Sequence, residues 1–223
     1  MQLKRHFVLP LILLLIYSCT TVTEKDYIPE QGGEYVTASW YGPKFHGRPT
    51  ASGERYDMHG LTAAHKHLAF GTELRVTNPD NGRSVNVKVN DRGPFIRGRD
   101  LDLSYGAARA IGMDKKGVGR VKIEYLGRDM RYVKRIAYRT DSKIVSRGLL
   151  TIQVGSFADK ENALRLKKGL EFAYNDVTVS SALVSGETFY RVRVGMFKNR
   201  ESAIEVAEKL ADEGYAILIK TKD

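Results

Sequence analysis

The sequence predicts two small domains of different class, an all-β barrel followed by an α+β domain of ferredoxin-like type, and three observations predict it. Tyr35 to Tyr41, Glu73 to Thr77, Ser84 to Val89 and Val118 to Tyr125 alternate apolar and polar residues, the period of half-buried strands. Only Ser104 to Ile111 reads as a helix in that half, and many short strands with one helix point to a small closed barrel. From Leu149 on the pattern changes: Val154-Gly155-Ser156-Phe157 returns as Val194-Gly195-Met196-Phe197, an offset of 40 residues that marks a doubled unit. A chain of 223 residues, 42% hydrophobic and 28% charged, has room for two modest cores and is unlike a disordered or fibrous protein.

Residues 1–18 have the layout of a secretory signal, with Lys4 and Arg5 ahead of an apolar run from Phe7 to Ile16 that is short for a bilayer span. Cys19 is the one cysteine, which rules out an internal disulfide framework and a Cys-rich zinc site; its place directly after the apolar run makes it a processing site. Residues 19–34 are polar, with Pro29 and Gly32-Gly33, and read as a tether. In the barrel half, 35–127, Asn81-Gly82 fits a two-residue hairpin turn, because both residues tolerate positive φ. Ser104 is the expected N-cap of the helix and Gly112 its terminator.

Residues 128–148 read as a basic linker, since seven Lys and Arg side chains stand there against Asp129 and Asp141. The net charge of +10 lies wholly upstream of Leu149, because the rest of the chain carries 11 basic and 11 acidic residues. Such a linker would be drawn weakly to anionic polymer or lipid headgroups; nucleic acid is not expected as a partner of an exported chain. In residues 149–223 each repeat supplies a strand and a helix opened by Asp159 or Asn199, with Ile204, Ala207, Leu210 and Ala211 on one helical face. Adding Val177 to Leu183 and Ala216 to Lys220 gives β-α-β-β-α-β.

A polar and glycine-rich framework inside the barrel half carries the chemistry: Ala38-Ser39-Trp40-Tyr41-Gly42, Thr50-Ala51-Ser52-Gly53-Glu54 and Asn90-Asp91-Arg92-Gly93-Pro94. Glu54, Asp57, His65 and Asp91 are the candidate catalytic residues, since carboxylates near a histidine and an aromatic pair can grip a sugar and move a proton at its glycosidic oxygen. Asp91 is the first choice as acid. It follows a strand and precedes a sharp turn; barrel walls would raise its pKa, and Arg92 would lower it unless that side chain points away. Neighbouring carboxylates can hold one proton between them, and which one holds it stays open.

His65 is expected to orient a carboxylate or carry a proton, with His67 on the same strand face as an auxiliary. No metal or cofactor is expected, because His46, His59, His65 and His67 show no recognised ligand spacing. Trp40 shares a face with Val36 and Ala38, Tyr41 takes the other, and either ring could stack on a sugar. Thr50 and Arg92, beside these acids, are further candidate substrate contacts. In the second domain Ile152, Val154, Val192 and Val194 should meet the helices, leaving Gln153, Arg191 and Arg193 on an open face and Ser156 nearby, donors suited to glycan hydroxyls and N-acetyl groups.

From about Val36 to Tyr125 these motifs, in this order, resemble the RlpA family of septal lytic transglycosylase lipoproteins, which cut the glycan strands of peptidoglycan. The resemblance implies a six-stranded double-psi β-barrel with a short helix, and activity at the positions matching Glu54, Asp57, His65 and Asp91. It further implies cleavage between N-acetylmuramic acid and N-acetylglucosamine in which the sugar's own 6-hydroxyl, rather than water, closes on the anomeric carbon and leaves a 1,6-anhydro end. The part from Leu149 on, through Gln153-Val154-Gly155-Ser156-Phe157, resembles a SPOR domain, a module that recognises glycan stripped of its peptide stems at division sites. Ile16-Tyr17-Ser18-Cys19 resembles a lipobox, which implies a membrane anchor through lipid on Cys19; Thr20, not aspartate, follows it, which favours the periplasmic face of the outer membrane. No protein partner is implied. Two other classes fit the same resemblances: a non-catalytic wall-binding protein of expansin type, and a division-site scaffold.

Overall fold

The computed structural model describes residues 33–134 and 149–221. Cys19, the signal and most of the tether lie outside the described residues, as does the part of the basic stretch from 135 to 148. The alternating segments all form strands: β1 (Glu34–Trp40), β3 (Thr72–Thr77), β4 (Ser84–Asp91) and β6 (Val118–Arg128). Two more, β2 (Thr62–His65) and β5 (Leu101–Leu103), complete a closed barrel in the order β1-β5-β2-β4-β3-β6. Both are short and buried along nearly their whole length, so they carry no alternation to read. They make the parallel pairings, β5 with β1 and β2 with β4, which a meander of hairpins would lack.

Helix α1 (Tyr105–Ala110) starts as expected, with the Ser104 hydroxyl accepting the Ala107 amide at 3.1 Å. The β3–β4 hairpin differs from a two-residue turn. The Asn78 carbonyl accepts the Gly82 amide and the Asn78 amide donates to the Arg83 carbonyl, so the loop is longer, and of Asn81 and Gly82 only the glycine takes positive φ. The Asn81 side chain instead donates to the Ile111 carbonyl at 3.1 Å, tying the hairpin to the end of α1.

The second domain has β7 (Leu150–Phe157), α2 (Lys160–Leu170), β8 (Thr178–Val184), β9 (Glu187–Phe197), α3 (Arg200–Asp212) and β10 (Leu218–Thr221). Its antiparallel sheet runs β10-β7-β9-β8, the order of a ferredoxin-like unit, and Asp159 and Asn199 cap the two helices as their positions indicate. Each half of the chain builds its own core, around Leu74, Leu101, Leu103 and Ile123 in the barrel and around Ile152, Leu166, Leu170 and Leu210 in the second domain.

The two cores are not independent bodies. Phe70, from the β2–β3 loop of the barrel, is fully buried in the second domain's core, edge-on to Tyr215 at 5.0 Å, and its amide donates to the Glu213 carbonyl. Ordered chain also continues past β6 into the stretch read as linker: Met130–Tyr132 forms a 3-10 turn, and the Lys134 amide donates to the Ala211 carbonyl of α3.

Candidate active site

A β-bulge in β4 positions Asp91. Ala63 pairs with Val89 but Ala64 pairs with Asp91, so Asn90 and Asp91 occupy a place where regular alternation allows one residue. Asp91 therefore leaves the core face of Val89 and joins the outer face that Ala64, Asp102 and Ser39 share across the neighbouring strands. Tyr41 continues that face beyond β1, and its hydroxyl donates to Asp91 Oδ2 at 3.1 Å. Trp40 lies on the other side, packed on the barrel core and 5.3 Å from the Tyr105 ring. Of the aromatic pair, Tyr41 is thus the one at the acid, backed by Tyr56 at 4.9 Å and Phe45 at 5.9 Å.

Asp91 Oδ1 accepts the amides of Ala51 and Arg92, each at 2.8 Å. These donors, together with Tyr41 and the nearby Arg165 guanidinium, favour the ionised form, yet burial outweighs them and the carboxyl is held above its usual range. That is the direction an acid catalyst needs. Burial also lifts the Tyr56 hydroxyl, to about 12, so it stays a neutral donor.

The turn expected over Thr50 to Glu54 forms: Thr50 exchanges backbone bonds with Glu54 and Gly53, and Gly53 takes φ 93°. Its Ser52 amide bonds the Asn90 carbonyl, and the Asn90 side chain donates to Glu54 Oε2 at 2.7 Å, so Glu54 is clasped to the bulge that carries Asp91. The other oxygen of Glu54 accepts the hydroxyl of Tyr132. Tyr132 lies beyond the barrel strands, in the basic run that reads as linker, and nothing in the sequence signals it. Replacing it, Tyr132→Phe, keeps the ring beneath Lys88, 5.6 Å from its ammonium, and removes the donor to Glu54. Because Glu54 is exposed, the glycan cleavage that the sequence resemblance implies is expected to fall about two- to fivefold; unchanged kcat/KM would rule out a role through Glu54.

Several expected site residues stand elsewhere. Asp57 is exposed and caps its own turn through the His59 amide, with His46 Nδ1 at 3.8 Å; no hydrogen bond or ion pair joins it to Asp91 or Glu54 among the described residues. Thr50 is buried at the edge of the cavity beside Asp91, and its hydroxyl donates to the Glu54 carbonyl inside the turn. His65 is only 5% exposed, and its Nδ1 accepts the amides of His67 and Leu68. Burial, then Arg92, His67 and Lys66, lowers its pKa to about 3, which holds the ring neutral near pH 7. β2 ends at His65, so His67 lies in the turn beyond it, with its ring 6.0 Å from Phe172.

Arg92 turns its guanidinium away from Asp91 and toward the second domain, while the residue still borders the cavity beside Asp91. Its guanidinium donates to Tyr215 at 2.6 Å, to the Leu68 carbonyl at 2.9 Å and to Glu213 at 3.2 Å, and it lies 3.9 Å over the Phe70 ring. In the second domain Gln153 pairs with Arg193, and Ser156 with Arg191, on the sheet face away from the helices. Ser156 is exposed and Gln153 and Arg191 are half-buried, whereas Arg193, flanked by Gln153 and Thr178 in the centre of the sheet, is buried and is not an open donor. Among the described residues no group of three or more His, Cys, Asp or Glu side chains is placed to hold a metal.

The groove over Asp91 has a second wall that the barrel does not supply. Pro49, Thr50, Ala51, Asp91 and Arg92 face Phe157, Asn162, Arg165 and Leu166 of the second domain across a cavity of about 10 Å³. That is room for about one water molecule.

Residues 34–123 match the family model described as "Lytic transglycolase", and residues 146–220 match "SPOR domain". The chain is 40% identical over 194 residues to the "Endolytic peptidoglycan transglycosylase RlpA" of Vibrio cholerae, covering 86% of this chain and 71% of that one. It is 36% identical over 203 residues to the protein of the same name from Neisseria meningitidis, covering 88% and 81%. A "Probable endolytic peptidoglycan transglycosylase RlpA" of Synechocystis is 62% identical over 87 residues, 39% of this chain, and there the chain spans only 27% of the relative's length. With both domains matched in order and the identity spread over most of two relatives, the chain belongs to the RlpA family.

Proposed function

We propose that this chain is a peptidoglycan lytic transglycosylase in which Asp91 protonates the glycosidic oxygen between N-acetylmuramic acid and N-acetylglucosamine. The observation that carries the reading is the bulged end of β4, which sets a carboxyl of raised pKa beside the Tyr41 hydroxyl. Glu54, held to the same bulge by Asn90, is the partner whose charge stabilises the oxocarbenium-like transition state. Tyr41 and Phe45 supply flat faces for a sugar. Family membership supports the class of substrate, and the SPOR domain supports peptide-free strands as its form. The reading also places the protein, through lipid on Cys19, on the periplasmic face of the outer membrane at the septum.

A non-catalytic, wall-binding role competes with this, and one observation favours it: the cavity at Asp91 is far too small for a glycan. The two are separated by incubating the full chain carrying Cys19→Ser with glycan strands freed of peptides and weighing the products by mass spectrometry. Fragments ending in 1,6-anhydro sugar support the enzyme. Retained binding without fragments at any pH from about 4, the ordinary carboxyl range, up to neutral supports the binding protein.

A further inference from the structure

The wall that closes the groove is built from the domain read as a targeting module, and its contacts are those of a docked lid. Helix α2 lies along the outer face of the barrel. Its Glu161 meets Arg48 at 3.4 Å, and Arg165 sits 5.4 Å over the Phe45 ring, beside the Tyr41 face that a sugar would need. Asn162, buried at 6% exposure, accepts the Arg165 guanidinium within the cavity lining. Gly169 brings the far end of α2 against Arg92: a Cβ there would meet Arg92 Cβ at 3.0 Å and Phe95 Cζ at 3.4 Å. Beyond it Phe172, half exposed, stacks on Phe95 with centroids 6.0 Å apart.

We propose that α2 occupies the glycan groove as an intramolecular inhibitor, and that peptide-free glycan reaches Asp91 only after the second domain lifts from the barrel. Resting on the transglycosylase reading, this gives the SPOR domain a second role, in which it blocks the site until glycan engages the protein. The contact surface has an apolar anchor, Phe70 in the second domain's core, and weakly held charges along α2. Arg48 and Glu161 are exposed and contribute little. Arg92 is the one deeply buried charge across the interface among the described residues, held by Glu213 on one side and the Leu68 carbonyl on the other. Separation would return its guanidinium to water, which offsets much of what the contact gains.

Two backbone bonds report docking directly, from the Phe70 amide to Glu213 and from the Lys134 amide to Ala211. Hydrogen exchange of peptides containing Phe70 and Lys134 is measured by mass spectrometry on the full chain with Cys19→Ser, with and without peptide-free glycan. The same measurement is made on Gly169→Leu, which wedges Arg92 away, and on Phe172→Ala, which removes an exposed ring that its own domain does not need. The lid predicts at least tenfold faster exchange at both sites in either variant, and in the unaltered chain once glycan is added. Cleavage should rise severalfold in the variants and vanish when Asp91→Asn is added. Glycan that is cut with no change in exchange overturns the proposal, and so do variants that open by exchange yet cut no faster. Glycan that speeds exchange but is never cut sustains the lid and removes the transglycosylase reading instead.

Discussion

Asp91→Asn is expected to lower glycan cleavage by about 10²- to 10⁴-fold, the range for loss of a positioned general acid, while making the folded protein more stable at neutral pH. The amide keeps the shape, so its oxygen still accepts the Ala51 and Arg92 amides and its NH₂ faces the Tyr41 hydroxyl, which can accept. What it loses is the proton. Stability moves the other way because burial raises the folded-state pKa above the unfolded value. A group shifted in that direction adds stability below its unfolded pKa and gives it up as pH rises through its folded pKa. At pH 7 the native carboxyl is therefore a burden that Asn lacks, and thermal melts of the two proteins should diverge above about pH 4 and converge below it. The pH dependence of kcat has the same origin: the rate falls as pH rises through the raised pKa of Asp91. Arg83→Ala, at an exposed hairpin position, should leave both measurements unchanged. A cleaving Asp91→Asn protein would remove this residue from the mechanism.

Much of this is legible in the sequence because barrel strands with one wet face must alternate, and because capping chemistry is local. Ser104, Asp159 and Asn199 cap where their side chains permit, and the 40-residue repeat forces the second sheet to be doubled. β2 and β5 are hidden by their own burial: Ala63-Ala64 and Leu101-Asp102-Leu103 look the same as any short core segment. The bulge at Asn90 is likewise silent, since one extra residue changes which face Asp91 takes without changing composition. The domain contact is the least readable. Arg92, Asn162 and Arg165 are polar residues that a single domain would leave in water, and no periodic pattern within either half marks a surface that the other half covers. The sign of the Arg92 effect on Asp91 depends on that contact, for its guanidinium is drawn to Tyr215 and Glu213. Tyr132 escapes sequence reasoning for the same reason: a basic run without apolar period gives no sign that one of its residues bonds Glu54.

Unfolding by urea should show the protein about 2–3 kcal/mol less stable at pH 4.5 than at pH 7.5 through His65 alone. The imidazole is enclosed at the end of β2, and its Nδ1 is an acceptor for two amides, so the neutral ring with hydrogen on Nε2 is the only form the site holds. Burial of the charged ring, then the nearby Arg92, His67 and Lys66, lowers the folded-state pKa to about 3, and protonating Nδ1 would also turn both amide bonds into repulsions. An unfolded histidine titrates near 6.5. With the folded value below the unfolded one, the stabilisation is complete above about pH 6.5 and is withdrawn as pH falls from there toward about 3. His65→Gln should be less stable at pH 7.5, where it forfeits the two amide bonds, but should lose less on acidification. Two parallel stability curves would show that the acid sensitivity resides in other groups. The distinction bears on catalysis, because a histidine that cannot accept a proton above about pH 4 does not shape the rate profile between about pH 5 and 8. A change in that profile on replacing His65 would have to come through the turn it holds, from Lys66 to Leu68, whose Leu68 carbonyl accepts Arg92 and so anchors the residue next to Asp91.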